Sequence, residues 1–143
     1  MIAIDTNLLV YAHRLEMPFH QRARQILAAA IGAAEPVCVP WPCVHEFLAV
    51  VSNPRIFREP TPIEAALEAI RRLLGSLTGG VLAEGDGYLD VLEGVCSPAK
   101  LQGAMVHDAR VAALCRFHGV RVLWSADRDF SRFQGFPVHN PLT

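Results

Sequence analysis

Ile2-Ala3-Ile4-Asp5-Thr6-Asn7-Leu8-Leu9-Val10-Tyr11-Ala12 reads as a short apolar strand that stops on a polar triplet and resumes as a helix. Asp5 or Thr6 is suited to cap that helix, because a side-chain oxygen there accepts a backbone N–H that the first turn leaves free. The same strand-then-helix order recurs downstream. Val37 to Trp41 is a β-branched run bracketed by prolines, and Pro42 opens a helix that runs to about Ser52, where Asn53-Pro54 stops it. Val120 to Trp124 is apolar at 120, 122, 123 and 124 and reads as a strand. It follows a helix over Leu101 to Phe117 that ends on His118-Gly119, a helix-stop signal.

Between these anchors, helical spacing dominates. Positions 23, 26, 27, 30 and 31 are all Ala, Ile or Leu, and Ile63, Ala66, Leu67, Ile70, Leu73 and Leu74 share one face after Thr61-Pro62. Glu68 and Arg72 face outward at a supportive i,i+4 spacing. Tyr88 to Val95 is a further short helix, and Gly75 to Gly87 reads as loops around a short strand, Val81-Leu82. Short strands alternating with helices predict an α/β fold with a short, mostly parallel central sheet. Sites in such folds form at the carboxyl ends of strands.

The 143 residues predict one domain over 1–143, long enough for a hydrophobic core without staples. Hydrophobic residues at 52% against 19% charged exclude a disordered or coiled-coil chain. Thirteen cations against 14 acids exclude a strongly basic nucleic-acid wrapper, though not an enzyme with local contacts. Lys100 is the one lysine, and the other cations are arginines, which suit phosphate recognition. Cys38, Cys43, Cys96 and Cys115 form no C-x-x-C pair, so free thiols in a reducing compartment are expected. Met1 to Asp5 has no basic leader and no apolar stretch is long enough to span a bilayer. A cytoplasmic protein that does not enter the membrane is expected.

The acids stand where chemistry is expected. Asp5 follows the first strand, and Asp127 and Asp129 follow the strand ending at Trp124. Each alone reads better as a helix cap or a turn residue than as a site. Glu46 lies in Cys43-Val44-His45-Glu46-Phe47-Leu48-Ala49-Val50-Val51, a helix apolar nearly all round. An ionised Glu buried there needs a partner or a cation, unless it occupies an exposed edge beside His45. Asp108 falls on the stripe Leu101, Ala104, Met105, Val111, Ala112 and Cys115, where its alternatives are a site or a salt bridge to an arginine elsewhere. Arg110 and Arg116 lie off that face. Four converging carboxylates cannot all ionise uncompensated. Oxygen ligands favour Mg²⁺ or Mn²⁺ over Zn²⁺, and Mg²⁺ binds phosphate oxygens, which points to a phosphodiester substrate.

Asp5-Thr6-Asn7-Leu8-Leu9-Val10-Tyr11-Ala12 resembles the opening of PIN-domain ribonucleases, especially the VapC-type toxins of bacterial toxin–antitoxin pairs. Val44-His45-Glu46-Phe47-Leu48 resembles their second acidic motif. Val106-His107-Asp108-Ala109-Arg110-Val111-Ala112-Ala113-Leu114 resembles the third, and Ser125-Ala126-Asp127-Arg128-Asp129-Phe130 the fourth. Asn140-Pro141 is similar to the family's tail. The resemblance covers nearly the whole chain in order. It implies a three-layer α/β/α sandwich and endonucleolytic cleavage of RNA by Mg²⁺- or Mn²⁺-activated water. It further implies that Asp5, Glu46, Asp108 and Asp127 are the metal-binding catalytic acids, supported by Thr6, Asn7, Ser125 and Asp129. A homodimer and a cognate antitoxin are the implied partners. Arg128 and Arg132 are expected to contact RNA, and an exposed apolar patch from the early helices is expected to serve dimer or antitoxin.

Two rivals share the acids. A receiver-like module also clusters carboxylates around Mg²⁺, but it needs a lysine after a late strand, and Lys100 precedes the Leu101 helix. A non-catalytic, degenerate PIN domain would act by binding alone. A zinc protease is excluded, because Ala49 stands where H-E-x-x-H needs its second His.

Overall fold

Five short parallel strands form the central sheet in this computed structural model, which describes residues 1–143. They are β1 (Ile2–Ile4), β2 (Val37–Pro40), β3 (Gly80–Leu82), β4 (Val122–Trp124) and β5 (Val138–His139), in the order β3-β2-β1-β4-β5. Register pairs Ile2 with Val37 on one side and with Val122 on the other. Ile2, Ala3 and Ile4 are all buried, as are Val37 to Pro40, so these strands show continuous apolar runs instead of alternation. That is the signature of a sheet covered on both faces.

The helices are α1 (Thr6–His13), α2 (His20–Ile31), α3 (Trp41–Val51), α4 (Ile63–Ser76), α5 (Tyr88–Ala99) and α6 (Met105–Phe117). The first four pack in series, α2 on α1, α1 on α3 and α3 on α4, while α5 packs on α6. Connections from β1 through β2 to β3 run one way across the sheet, and the connection from β3 to β4 runs back past β1. Right-handed crossovers therefore put α1–α4 and α5–α6 on opposite faces, an α/β/α sandwich. No helix is long and apolar enough to cross a membrane.

The sequence reading locates most elements and misplaces some ends. The last helix begins at Met105, not Leu101, because Lys100 and Gly103 both adopt positive φ and break the chain direction there. Helix α5 continues past Val95 through Pro98 to Ala99. Gly75 lies inside α4, and β4 starts at Val122 instead of Val120. Strand β5 goes unread, since two residues are too few to show a period. The stop at the end of α6 is as expected. Gly119, at φ 68, lets its N–H reach Arg116 O (3.2 Å) while Val120 N–H reaches Cys115 O (2.8 Å), the paired bonds of a left-handed helix stop.

Candidate active site

The sheet order sets the place. From β1 the chain departs toward β2, and from β4 toward β5, so the loops after these two adjacent strands diverge. A crevice opens where they part. The Asp5 N–H donates to Trp124 O at 3.0 Å, which fastens the end of β1 to the end of β4 at the floor of that crevice. The cleft has a volume of about 600 Å³, and Asp5, Glu46, Asp108 and Asp127 all line it.

Asp5 is the most constrained of the four. It is buried and caps α1, its Oδ1 accepting from the Thr6 N–H at 2.8 Å. The same oxygen accepts from Cys43 Sγ at 3.4 Å, and Oδ2 accepts from the Ser125 hydroxyl at 2.7 Å. Burial pushes its pKa above the ordinary range. The three hydrogen bonds pull the other way, and the charge of Asp127 adds to the rise. Burial also raises the Cys43 thiol well above its usual range, so it stays a neutral donor.

Glu46 corrects one expectation. Helix α3 buries Cys43, Val44, Phe47 and Val51, and leaves His45 and Glu46 on its exposed side. Apolar composition overstated the burial, and the exposed edge beside His45 is the actual location. The carboxyl nonetheless turns into the cleft, where Oε2 accepts from the Thr6 hydroxyl at 3.1 Å. Partial withdrawal from water raises its pKa, with the Thr6 bond opposing and the charges of Asp5 and Asp127 adding.

Asp108 lies in the first turn of α6, half-buried, and not within a buried stripe as its spacing suggested, because residues 101–104 are not helical. Its pKa is raised by desolvation, then by the charge of Asp127, with Arg132 lowering it and Asp129 and Glu46 raising it. Asp127 opens a single 3-10 turn over Arg128–Arg132, its Oδ1 accepting from the Asp129 N–H at 2.8 Å.

The supporting residues form one network. Ser125 is buried and uses its whole hydrogen-bonding capacity: it donates to Asp5 and accepts from Asn7 Nδ2 (3.3 Å) and the Asp127 N–H (3.0 Å). Asn7 Oδ1 accepts from the Ala126 N–H at 3.2 Å. Asp129 points outward, paired with Arg132 at 3.7 Å. Arg128 and Arg132 do not line the cleft. Arg128 borders a separate groove beside β5, and Arg132 a second one with Arg116. The side chains that sequence reasoning did not single out here are Tyr11, His45, His107 and Arg110. For the two histidines the available signal was adjacency, one residue before Glu46 and one before Asp108.

Held as they are, no three His, Cys, Asp or Glu side chains already form a tight ligand set. The donor chemistry still fits a hard cation. Three of the acids are pushed upward by burial and by one another. The one arginine on the cleft is held by Glu84. Carboxylates crowded without a cation to offset them accept Mg²⁺ or Mn²⁺ in preference to softer metals.

Residues 2–135 match the model of the PIN domain. The chain is 32% identical over 139 residues to ribonuclease VapC48 of Mycobacterium tuberculosis, covering 97% of this chain and 96% of that protein. It is also 32% identical over 142 residues to VapC ribonuclease Mb2897 of Mycobacterium bovis, covering 99% and 96%. FitAcB from Neisseria gonorrhoeae shares the fold at a TM-score of 0.72 and 21% identity, covering 99% of this chain and 98% of that one. VapC20 of Mycobacterium tuberculosis, a toxin that cleaves the sarcin–ricin loop, does so at 0.66 and 20%, covering 95% and 96%. With its acids at the ends of β1 and β4 and its match to that model over nearly its full length, the chain belongs to the PIN-domain family, in its VapC branch.

Proposed function

We propose that this protein is a Mg²⁺- or Mn²⁺-dependent endoribonuclease and the toxin of a toxin–antitoxin pair. The observation that carries the reading is four carboxylates on one cleft at the switch point of the sheet, whose one lining arginine, Arg110, is already bonded to Glu84. The VapC relatives bear the name ribonuclease, which agrees with it.

The free oxygens indicate how the acids divide the work. Asp5 is fixed through both oxygens and sets the frame. Glu46 is held by Oε2 and Asp127 by Oδ1, so each has a second oxygen to offer a cation, and Asp108 offers its whole carboxyl. When bound, the cation supplies positive charge against the scissile phosphate and acidifies water at neutral pH. Thr6 and Ser125 keep Glu46 and Asp5 aimed into the cleft, so little reorganisation is needed when charge develops at phosphorus.

An antitoxin is the proposed protein partner, as VapBC2 of Rickettsia felis and FitAB are complexes in their solved structures. A groove of about 190 Å³ lined by Leu9, Ala12, Leu27, Phe47 and Ile70, with Ile63 and Leu67 exposed on α4, is suited to an apolar segment. Leu15 and Phe19, on the turn between α1 and α2, are exposed as well, and this surface or the groove serves the homodimer.

Cleavage of a structured RNA in Mg²⁺ or Mn²⁺ against EDTA, wild type beside Asp5→Asn, tests the activity. Wild type cleaves only with metal, and Asp5→Asn loses at least about a hundredfold, the upper end for loss of a mere supporting residue at a metal site. Equal cleavage in EDTA overturns the metal mechanism. Absence of cleavage with RNA binding retained leaves a binding module.

A further inference from the structure

The acids explain how a cation is held, but a polyanionic substrate entering an acidic cleft needs a basic side chain of its own. Arg110 is the one arginine on the cleft wall, on α6 two residues beyond Asp108. Its Nε is bonded to Glu84 Oε1, from the loop between β3 and α5, and both side chains are partly open to water. The two Nη groups make no hydrogen bond, so the guanidinium keeps the fork that matches a phosphate.

We propose that Arg110 is the residue that grips the substrate's backbone phosphate, held in readiness by Glu84, whose carboxylate an RNA phosphate displaces. The proposal rests on the ribonuclease reading. Glu84 here stands in for the phosphate: it has the same charge sign and the same acceptor oxygens, and it orients the guanidinium before substrate arrives. A second observation concerns Glu84 itself. The Tyr88 hydroxyl is buried and has no hydrogen-bond partner. Tyr88 lies four residues beyond Glu84, and the charges of Glu84 and Arg110 both act on it, opposing one another. In this proposal a carboxylate released by Arg110 is free to accept from that unpaired O–H. Arg128 and Arg132 border other grooves, so Arg110 is the arginine placed to act inside this cleft.

Binding of a fluorescein-labelled single-stranded RNA of mixed sequence to Asp5→Asn protein, across a salt series, tests this. Adding Arg110→Ala weakens binding about tenfold, the lower end for a hydrogen bond to a charged group. It also lowers the slope of log affinity against log salt by about 0.7, one phosphate contact on a single strand. Polyuridylate and polyadenylate lose alike, because a phosphate contact carries no sequence. Glu84→Gln tightens binding, and most of that gain vanishes when Arg110 is also alanine. In an otherwise wild-type background, Arg110→Ala raises KM more than it lowers kcat, and Arg110→Lys restores part of the loss. If the pair only ties α6 to the β3–α5 loop, both variants lower stability while affinity and salt slope stay those of the parent, and the proposal is overturned though cleavage stands. If wild type neither binds nor cleaves RNA, the ribonuclease reading fails first and takes this inference with it.

Discussion

Ser125 shows how much one small side chain decides. Its single proton goes to Asp5, and its two lone pairs take Asn7 and the Asp127 N–H. Two segments distant in sequence, residues 5–7 and 125–127, therefore meet on one oxygen. Ser125→Ala leaves the partly buried Asp127 N–H and the Oδ2 of buried Asp5 without partners, which costs about 2–3 kcal/mol in chemical denaturation. Metal affinity by calorimetry falls about tenfold or more, as for other supporting residues. Unchanged affinity would show that Asp5 holds its aim without Ser125. The acids of this site were legible because a carboxylate at a strand end or beside apolar neighbours stands out. Ser125 was legible only through the family resemblance, because a serine in a turn is ordinary. Arg110 was set aside in the sequence as lying off the face of Asp108, since the loop carrying Glu84 gave no sign that it would meet that side of α6.

Helix and strand ends show where local chemistry decides and where it is overruled. The end of α6 is fixed by the chain itself: Gly119 accepts positive φ, and Cys115 and Arg116 receive the two closing bonds. An added Cβ would meet nothing within 4 Å at Gly119, so the effect of Gly119→Ala is conformational. It costs about 1 kcal/mol, read as a lower urea midpoint with the m-value unchanged. A loss much larger would mean that the turn also carries packing. The start of α6 is the contrary case. Ala104 and Met105 continue an apolar spacing from Leu101, yet positive φ at Lys100 and Gly103 breaks the chain before the helix begins. Spacing alone carries no information about φ at a lysine. Glu46 fails for a related reason: an apolar helix at the rim of a cleft exposes residues that composition would bury, and only the position of Thr6 across the gap brings its carboxyl inward.

The molecule as a whole places its least favourable charges where its function needs them, which makes stability depend on pH and metal together. Asp5, Glu46 and Asp108 all have folded pKa values above the ordinary 3.8, 4.5 and 3.8. The folded state therefore holds these protons more tightly than the unfolded chain does. Stability from this source is present at low pH, declines as pH rises above those ordinary values, and is gone above the raised ones, where the ionised acids repel in full. Glu35 acts oppositely. Arg121 and the Met1 amino group hold it down to about 2, so its contribution persists through the same window and is lost only as pH falls toward that value. Burial lowers the His13 pKa, so that ring costs stability as pH falls below its ordinary 6.5. The cleft acids are therefore read as a difference: from pH 7.5 to pH 5 the metal-free wild type should gain more Tm, or lose less, than Asp5→Asn. At pH 7.5 added Mg²⁺ should raise Tm, and at a hundred times its dissociation constant the gain is about 2.7 kcal/mol. The same addition at pH 5 should do less, because protons then compete for the ligand oxygens. A metal-free pH dependence of Tm that is the same in Asp5→Asn as in wild type, or a Mg²⁺ response identical at both pH values, would mean that the cleft acids are not the groups that link folding to cation binding.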